Sequence, residues 1–181
     1  QIQKVIEQAK NDHGVDLEID KTYRYCVLSD RKKNYLGVTN SGKVDVKGLT
    51  GKKSHTPAFI KKLFFELVDV LSEVQTMEDF VKAKKQISEK ISVCGKKLQA
   101  KEIPLEDLTF NVMLSKAPSE YTKTIPQHIR AAKQLEGIRE IKKGDKISFI
   151  KILNKPGVKP VELAKKDEID SKKYLEFLES T

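Results

Sequence analysis

Cysteine and histidine are scarce in this chain, and acids are nearly missing from one part of it. Among 181 residues there are two cysteines, Cys26 and Cys94, far apart and with no partner motif. They fit reduced, buried thiols of a cytosolic protein, although sequence alone leaves a bridge open. The three histidines, His13, His55 and His128, stand at no metal-ligand spacing with each other or with a cysteine, which argues against a zinc site. No apolar run approaches the roughly 18 residues of a membrane-spanning helix, and no signal-peptide pattern opens the chain. Internal repeats and low-complexity tracts are absent as well. The initiator Met is missing, and the first residue already lies inside a helical pattern (Ile2, Val5, Ile6, Ala9). At the other end Tyr174, Leu175, Phe177 and Leu178 stop at Thr181. We therefore expect a piece of a longer protein.

The shortage of acids is local. Residues 31–62 carry nine cations (Arg31, Lys32, Lys33, Lys43, Lys47, Lys52, Lys53, Lys61, Lys62) against one acid, Asp45, so this stretch holds +8 of a chain total of +9. Spread evenly, such a balance would mean little. Concentrated among Tyr35, Gly37, Gly42, Gly48, Gly51 and His55, it describes a surface for a polyanion, with nucleic acid the first candidate. The remaining composition, 38% hydrophobic and 34% charged, is that of a soluble globular protein long enough to bury a core.

Hydrophobic spacing predicts an α+β organisation. An opening helix should stop near Gly14. Val15, Leu17 and Ile19 then alternate with Asp16, Glu18 and Asp20, the period of a half-buried strand. Strand character continues over Tyr23–Ser29, a basic turn (Arg31–Asn34) leads into Tyr35–Val38, and Asn40-Ser41-Gly42-Lys43 suits a hairpin turn into Val44–Leu49. Leu49–Pro57 is a Gly-, Lys- and Ser-rich connector and the best boundary in the chain. Beyond it, Thr56-Pro57 suits a helix start, and Phe59, Ile60, Leu63, Phe64, Leu67, Val68 and Leu71 follow at helical spacing. Phe64-Phe65 reads as core. A second helix opens at Thr76 with Phe80, Ile87, Ile91, Cys94 and Leu98 on one face. Leu105–Leu114, a Pro118 turn, a short helix over Pro126–Glu136, a strand over Lys146–Leu153 and a last helix capped by Asp170 complete the pattern. Most strands should lie in the first part.

Three acids on one strand face, Asp16, Glu18 and Asp20, could hold a divalent cation. Their spacing of about 7 Å per step does not converge them, and a solvated face is the plainer reading. Gly48-Leu49-Thr50-Gly51-Lys52-Lys53 lacks the spacing and the strand-loop-helix order of a nucleotide phosphate loop, although its amides and lysines suit phosphate contacts. No Ser, Cys and His combination has a nucleophile context. The basic stretch survives this comparison because its cations cluster on hairpin turns and lead into a helix N-terminus at Thr56.

Arg31-Lys32-Lys33-Asn34-Tyr35-Leu36-Gly37 resembles the K-K-x-Y motif of family B DNA polymerases, followed at the family's distance by Val46-Lys47-Gly48 and Lys52-Lys53-Ser54-His55-Thr56-Pro57. Leu114–Tyr121 and Pro126–Ala132 resemble the thumb signature of archaeal members, and Lys143-Gly144-Asp145-Lys146-Ile147 and Tyr174-Leu175-Glu176 continue the match in order. The resemblance implies an antiparallel palm-end meander with a flanking helix in residues 1–54 and a mostly helical thumb with a few short strands in 55–181. It implies that Lys32 and Lys33 approach the minor groove and backbone of newly made duplex, that Arg31 beside them also contacts DNA, that Tyr35 hydrogen-bonds a primer phosphate, and that Lys47, Lys52 and Lys53 hold the backbone. Lys116, Lys123, His128 and Arg130 would line the thumb's face. Minor-groove acceptors are shared by all correct pairs, so such contacts sense pairing without reading sequence.

The family's catalytic S-L-Y-P and D-T-D motifs do not occur here, and Asp16, Glu18 and Asp20 match no catalytic position. The resemblance therefore implies a duplex-gripping piece that is inactive alone. It needs no cofactor of its own, while the parent enzyme uses Mg²⁺ for nucleotidyl transfer. Its partners would be primer-template DNA and the rest of the polymerase chain (catalytic palm, fingers, exonuclease), and its place the cytoplasm with chromosomal DNA. A stand-alone nucleic-acid-binding module and a small subunit of a naturally split polymerase are the alternatives.

Overall fold

The computed structural model describes residues 1–30, 32–49, 51 and 53–180. Helix α1, Ile2–His13, ends on Gly14, whose N–H bonds back to Ala9 and Lys10 carbonyls. Its last turn carries Lys10 and His13, the sign that suits a helix C-terminus. No residue of α1 is buried, and Ile2 and Val5 are more than half exposed. The alternating segment after it forms no strand: Val15, Leu17 and Ile19 are all exposed and enter no ladder among the described residues. Alternation equips a segment to be a strand, but the ladder needs a neighbour offering N–H and C=O groups. Here none lies alongside.

The expected meander follows. Strands β1 (Tyr25–Leu28), β2 (Tyr35–Val38) and β3 (Val44–Lys47) pair antiparallel in that order. The β2–β3 turn closes through Thr39 N–H to the Lys43 carbonyl (2.9 Å) and Gly42 N–H to the Thr39 carbonyl (3.0 Å). The pleat gives the sheet two characters. Leu36, Val38 and Val46 face inward and bury with Phe64 and Val68 of helix α2, Ala58–Ser72. Each such side chain contributes about 1.5–3 kcal/mol by leaving water. Arg24 and Tyr25 lock the contact, donating from Nη2 to the Ser72 carbonyl (2.9 Å) and from the phenol to the Leu71 carbonyl. These are orphan acceptors at a helix C-terminus, where a cation is also favoured.

Helix α2 begins at Ala58, one residue later than Thr56-Pro57 suggested, with Pro57 at the cap and Thr56 buried beneath. Helix α3, Met77–Gln99, opens on a reciprocal capping box between Thr76 and Asp79. Its apolar face is only partly used. Ala83 and Leu98 are buried, whereas Met77, Phe80, Val81 and Val93 remain exposed. Phe65 is 48% exposed beside a buried Phe64, so only half of that pair is core.

Strands are not concentrated in the first part. A second antiparallel sheet runs β4 (Phe110–Met113), β5 (Lys146–Lys151), β6 (Val158–Pro160). Its core gathers Phe59 and Ile60 of α2, Leu98 of α3, Ile129 and Ala132 of helix α4 (Gln127–Lys133), and Tyr174 of helix α5 (Ser171–Glu179). Asp170 caps α5 by accepting from Lys173 N–H. Tyr174 is fully buried; it stacks on Phe110, donates to the Leu108 carbonyl (2.7 Å) and accepts from Lys151 N–H (3.1 Å). Burial holds its phenol protonated, far above the usual tyrosine range. Helix α2 thus serves two cores, through Phe59 and Ile60 at one end and Phe64 and Val68 further along.

Among the described residues no helix is long and apolar enough to cross a membrane. The cysteines are both free, Cys26 exposed and Cys94 half-buried, so Cys26 is not the buried thiol expected.

Candidate nucleic-acid interface

The β1–β2 loop is a four-residue hairpin loop closed by Ser29 N–H to the Asn34 carbonyl (3.3 Å). Lys33 takes a left-handed backbone (φ 63°), rare for a side chain of this kind. The turn thereby presents Lys32 and Lys33, both exposed, at one end of the sheet. At that same end Tyr35 of β2 stands directly opposite Lys47 of β3, so their side chains share the outward face. Next to Lys47 comes Gly48 (φ 69°). A Cβ there would run into the Asn34 side chain and would lie 2.5 Å from the Lys33 carbonyl. Only glycine lets β3 leave so close under the basic turn. Lys53 is exposed in the connector, and Lys61 of α2 ties that connector down by donating to the Ser54 carbonyl (2.9 Å).

Among the described residues no ion pair engages Lys32, Lys33, Lys47 or Lys53. The stretch's one acid is committed elsewhere: Asp45 accepts from Lys21 Nζ (2.6 Å) and from the Tyr23 hydroxyl (2.8 Å). These bonds hold the Asp45 carboxyl below the usual carboxylate range, Lys21 contributing most. Lys43 lies at the far end of the hairpin, away from the group. Arg31 and Lys52 fall outside the described residues.

The second set of residues forms a separate group. After β4 the chain turns at Ser115-Lys116, and the Leu114 backbone pairs with Gly144 and Asp145, joining two stretches distant in sequence. Tyr121 sits at the centre, 3.1 Å from Ser115 Oγ and edge-on to the His128 ring at 6.3 Å. Burial pushes the His128 pKa down, favouring the neutral imidazole. Lys116 and Lys123 are exposed around it. Arg130 is turned elsewhere. Its Nη1 donates to the Pro156 carbonyl (2.9 Å), and its Nε is buried without a hydrogen-bond partner among the described residues.

Sequence reading overlooked the network behind Tyr35. The Tyr23 ring lies over Gly37 and meets Tyr35 edge-on, centroids 6.1 Å apart. A tyrosine two residues before a strand, with a glycine in the facing strand, is the only sequence signal for it, and it is faint. The acids read as a possible cation site do not gather: Asp16, Glu18 and Asp20 are exposed on an extended segment, and Asp16 pairs with Lys10 at 3.1 Å.

Such a surface offers exposed ammonium groups and loop amides at one sheet end, groups that can bond to phosphates. The profile of DNA polymerase family B matches residues 1–178. DNA polymerase 1 of Sulfurisphaera ohwakuensis is 43% identical over 99% of this chain and 21% of its own length. DNA polymerase 1 of Saccharolobus solfataricus is 42% identical over 99% of this chain and 20% of its length. Among solved structures, the family B DNA polymerase from Pyrobaculum calidifontis superposes with a TM-score of 0.67 over 97% of this chain and 23% of that one, at 19% identity. The chain thus spans about a fifth of the curated relatives it matches, and by profile and relatives alike it belongs to DNA polymerase family B.

Proposed function

We propose that this chain is the palm-end (1–54) and thumb (55–181) portion of a DNA-directed DNA polymerase, and that its task is to hold primer-template duplex near the primer terminus. The observation that carries the reading is the joint presentation of Lys32, Lys33, Tyr35 and Lys47 at one end of the first sheet, free of ion pairs among the described residues while the local acid is occupied by Lys21. Cations of this kind displace counterions from phosphates, and the phenol adds a directional donor. Held duplex keeps the primer terminus aligned for in-line attack, which is where the grip contributes to nucleotidyl transfer. Lys53 extends the backbone contact, and Lys116, Lys123 and the His128 surface add a second patch.

Among the described residues no group of three or more His, Cys, Asp or Glu side chains converges. In this reading the metal-assisted chemistry belongs to the other four fifths of the polymerase.

Fluorescence anisotropy across a salt series tests the proposal, with primer-template, blunt duplex and single strand as probes. Preference for primer-template or duplex is expected, with a log-log slope of about −0.9 for every phosphate engaged. Lys32→Glu with Lys33→Glu should weaken duplex binding and flatten that slope while leaving the melting temperature in place. A folded double variant with unchanged affinity removes these lysines from the interface.

A further inference from the structure

We propose that Tyr23 is a positioning residue for Tyr35, held in place by Asp45 and Lys21, so that the Tyr35 ring is fixed at the sheet end with its hydroxyl in reach of a DNA phosphate; this rests on the reading of Tyr35 as a phosphate contact. Four observations converge. The Tyr23 ring lies flat over Gly37, where an added Cβ would come within 2.6 Å of it, so β2 carries a glycine at the one position that admits the ring. That ring meets Tyr35 edge-on at 6.1 Å and 62°, an arrangement aromatic pairs favour and one that limits where the Tyr35 ring can swing. The Tyr23 hydroxyl donates to Asp45 at 2.8 Å. Asp45 in turn is fixed by Lys21 at 2.6 Å and lies across from Gly37 in the ladder.

The proton inventory gives the network its direction. A phenol has one proton. Tyr23 spends its own on Asp45, so its oxygen can only accept, and the bond between the two phenols is donated by Tyr35, which a phosphate must take over. The Tyr35 hydroxyl beside it, burial and the Asp45 carboxylate together hold the Tyr23 phenol protonated above the usual tyrosine range. Asp45 also has a second effect: as a carboxylate near Lys47 it opposes phosphate binding by charge alone. Its positioning role and its charge therefore push affinity in opposite directions, which makes the inference easy to test.

The experiment is a mutant cycle read by anisotropy on the 181-residue chain with a labelled primer-template at fixed salt, each variant first checked by circular dichroism and thermal melting. Tyr35→Phe should weaken binding about three- to tenfold, the range of one hydrogen bond. Tyr23→Phe should give a loss of similar size, and the double variant should bind no worse than Tyr35→Phe alone. Asp45→Asn should also weaken binding, against the tightening that removal of a negative charge predicts, and should lose that effect in the Tyr35→Phe background. Additive losses, an unaffected Tyr23→Phe or a tighter Asp45→Asn overturn the positioning role and leave the duplex grip standing. An unaffected Tyr35→Phe overturns the phosphate contact itself, and the positioning role falls with it. Should Tyr23→Phe fail to fold, Asp45→Asn, which keeps both rings, decides the matter.

Discussion

Gly48 and Tyr174 show how much of this molecule depends on single atoms. Gly48→Ala places a Cβ against the Asn34 side chain at a left-handed backbone position. We expect a loss of at least ~1 kcal/mol from the conformation alone, seen as a lower urea midpoint, together with weaker duplex binding because the Lys33 turn must shift. Tyr174→Phe keeps the ring stack but strips the hydroxyl from the Leu108 carbonyl and the Lys151 N–H. With buried partners left unsatisfied, it should cost about 1–3 kcal/mol by chemical denaturation. The Lys21–Asp45 pair predicts a pH profile with two arms. Asp45 has a lowered folded pKa, so its contribution is present above the ordinary carboxylate range and lost as pH falls through the folded value. Lys21 has a raised one, so its contribution is present below the ordinary lysine pKa and lost as pH rises through the folded value. Melting temperatures across pH should show both arms, and Asp45→Asn should flatten each.

At the scale of elements, α3 is the clearest case of local sequence deciding structure. Thr76 and Asp79 satisfy each other's backbone donors, so Thr76→Ala should cost ~1 kcal/mol and fray the first turn, measurable as faster amide exchange at Glu78 and Asp79. Such signals lie within four residues of each other, which is why the helices, the Asn40–Lys43 turn and the Asp170 cap were legible from sequence. The run of cations was legible for the same reason. Failures came where the answer lies far away in the chain. Val15–Ile19 alternates correctly yet has no ladder neighbour, and Met77, Phe80 and Val81 have helical spacing but little to pack on. Strand β6 is only three residues long and ends on proline, too short to show a period. Tyr23 and Asp45 are 22 residues apart, and Arg130 finds Pro156 across 26. No spacing rule spans such distances; the fold alone brings them together.

For the molecule as a whole, the decisive element is α2. The two sheets have separate cores, and this helix is built into both. Ile60→Ala, which empties a fully buried site, should cost about 2–5 kcal/mol. If α2 couples the two cores, hydrogen exchange will show lost protection in β2 as well as β5. Loss confined to β5 would mean that the sheets open independently. The coupling has a metric consequence. Phe59 and Val68 are nine residues apart on one rigid helix, about 13.5 Å of rise. Helix α2 thus behaves as a ruler: it fixes the interval at which the two sheets are mounted.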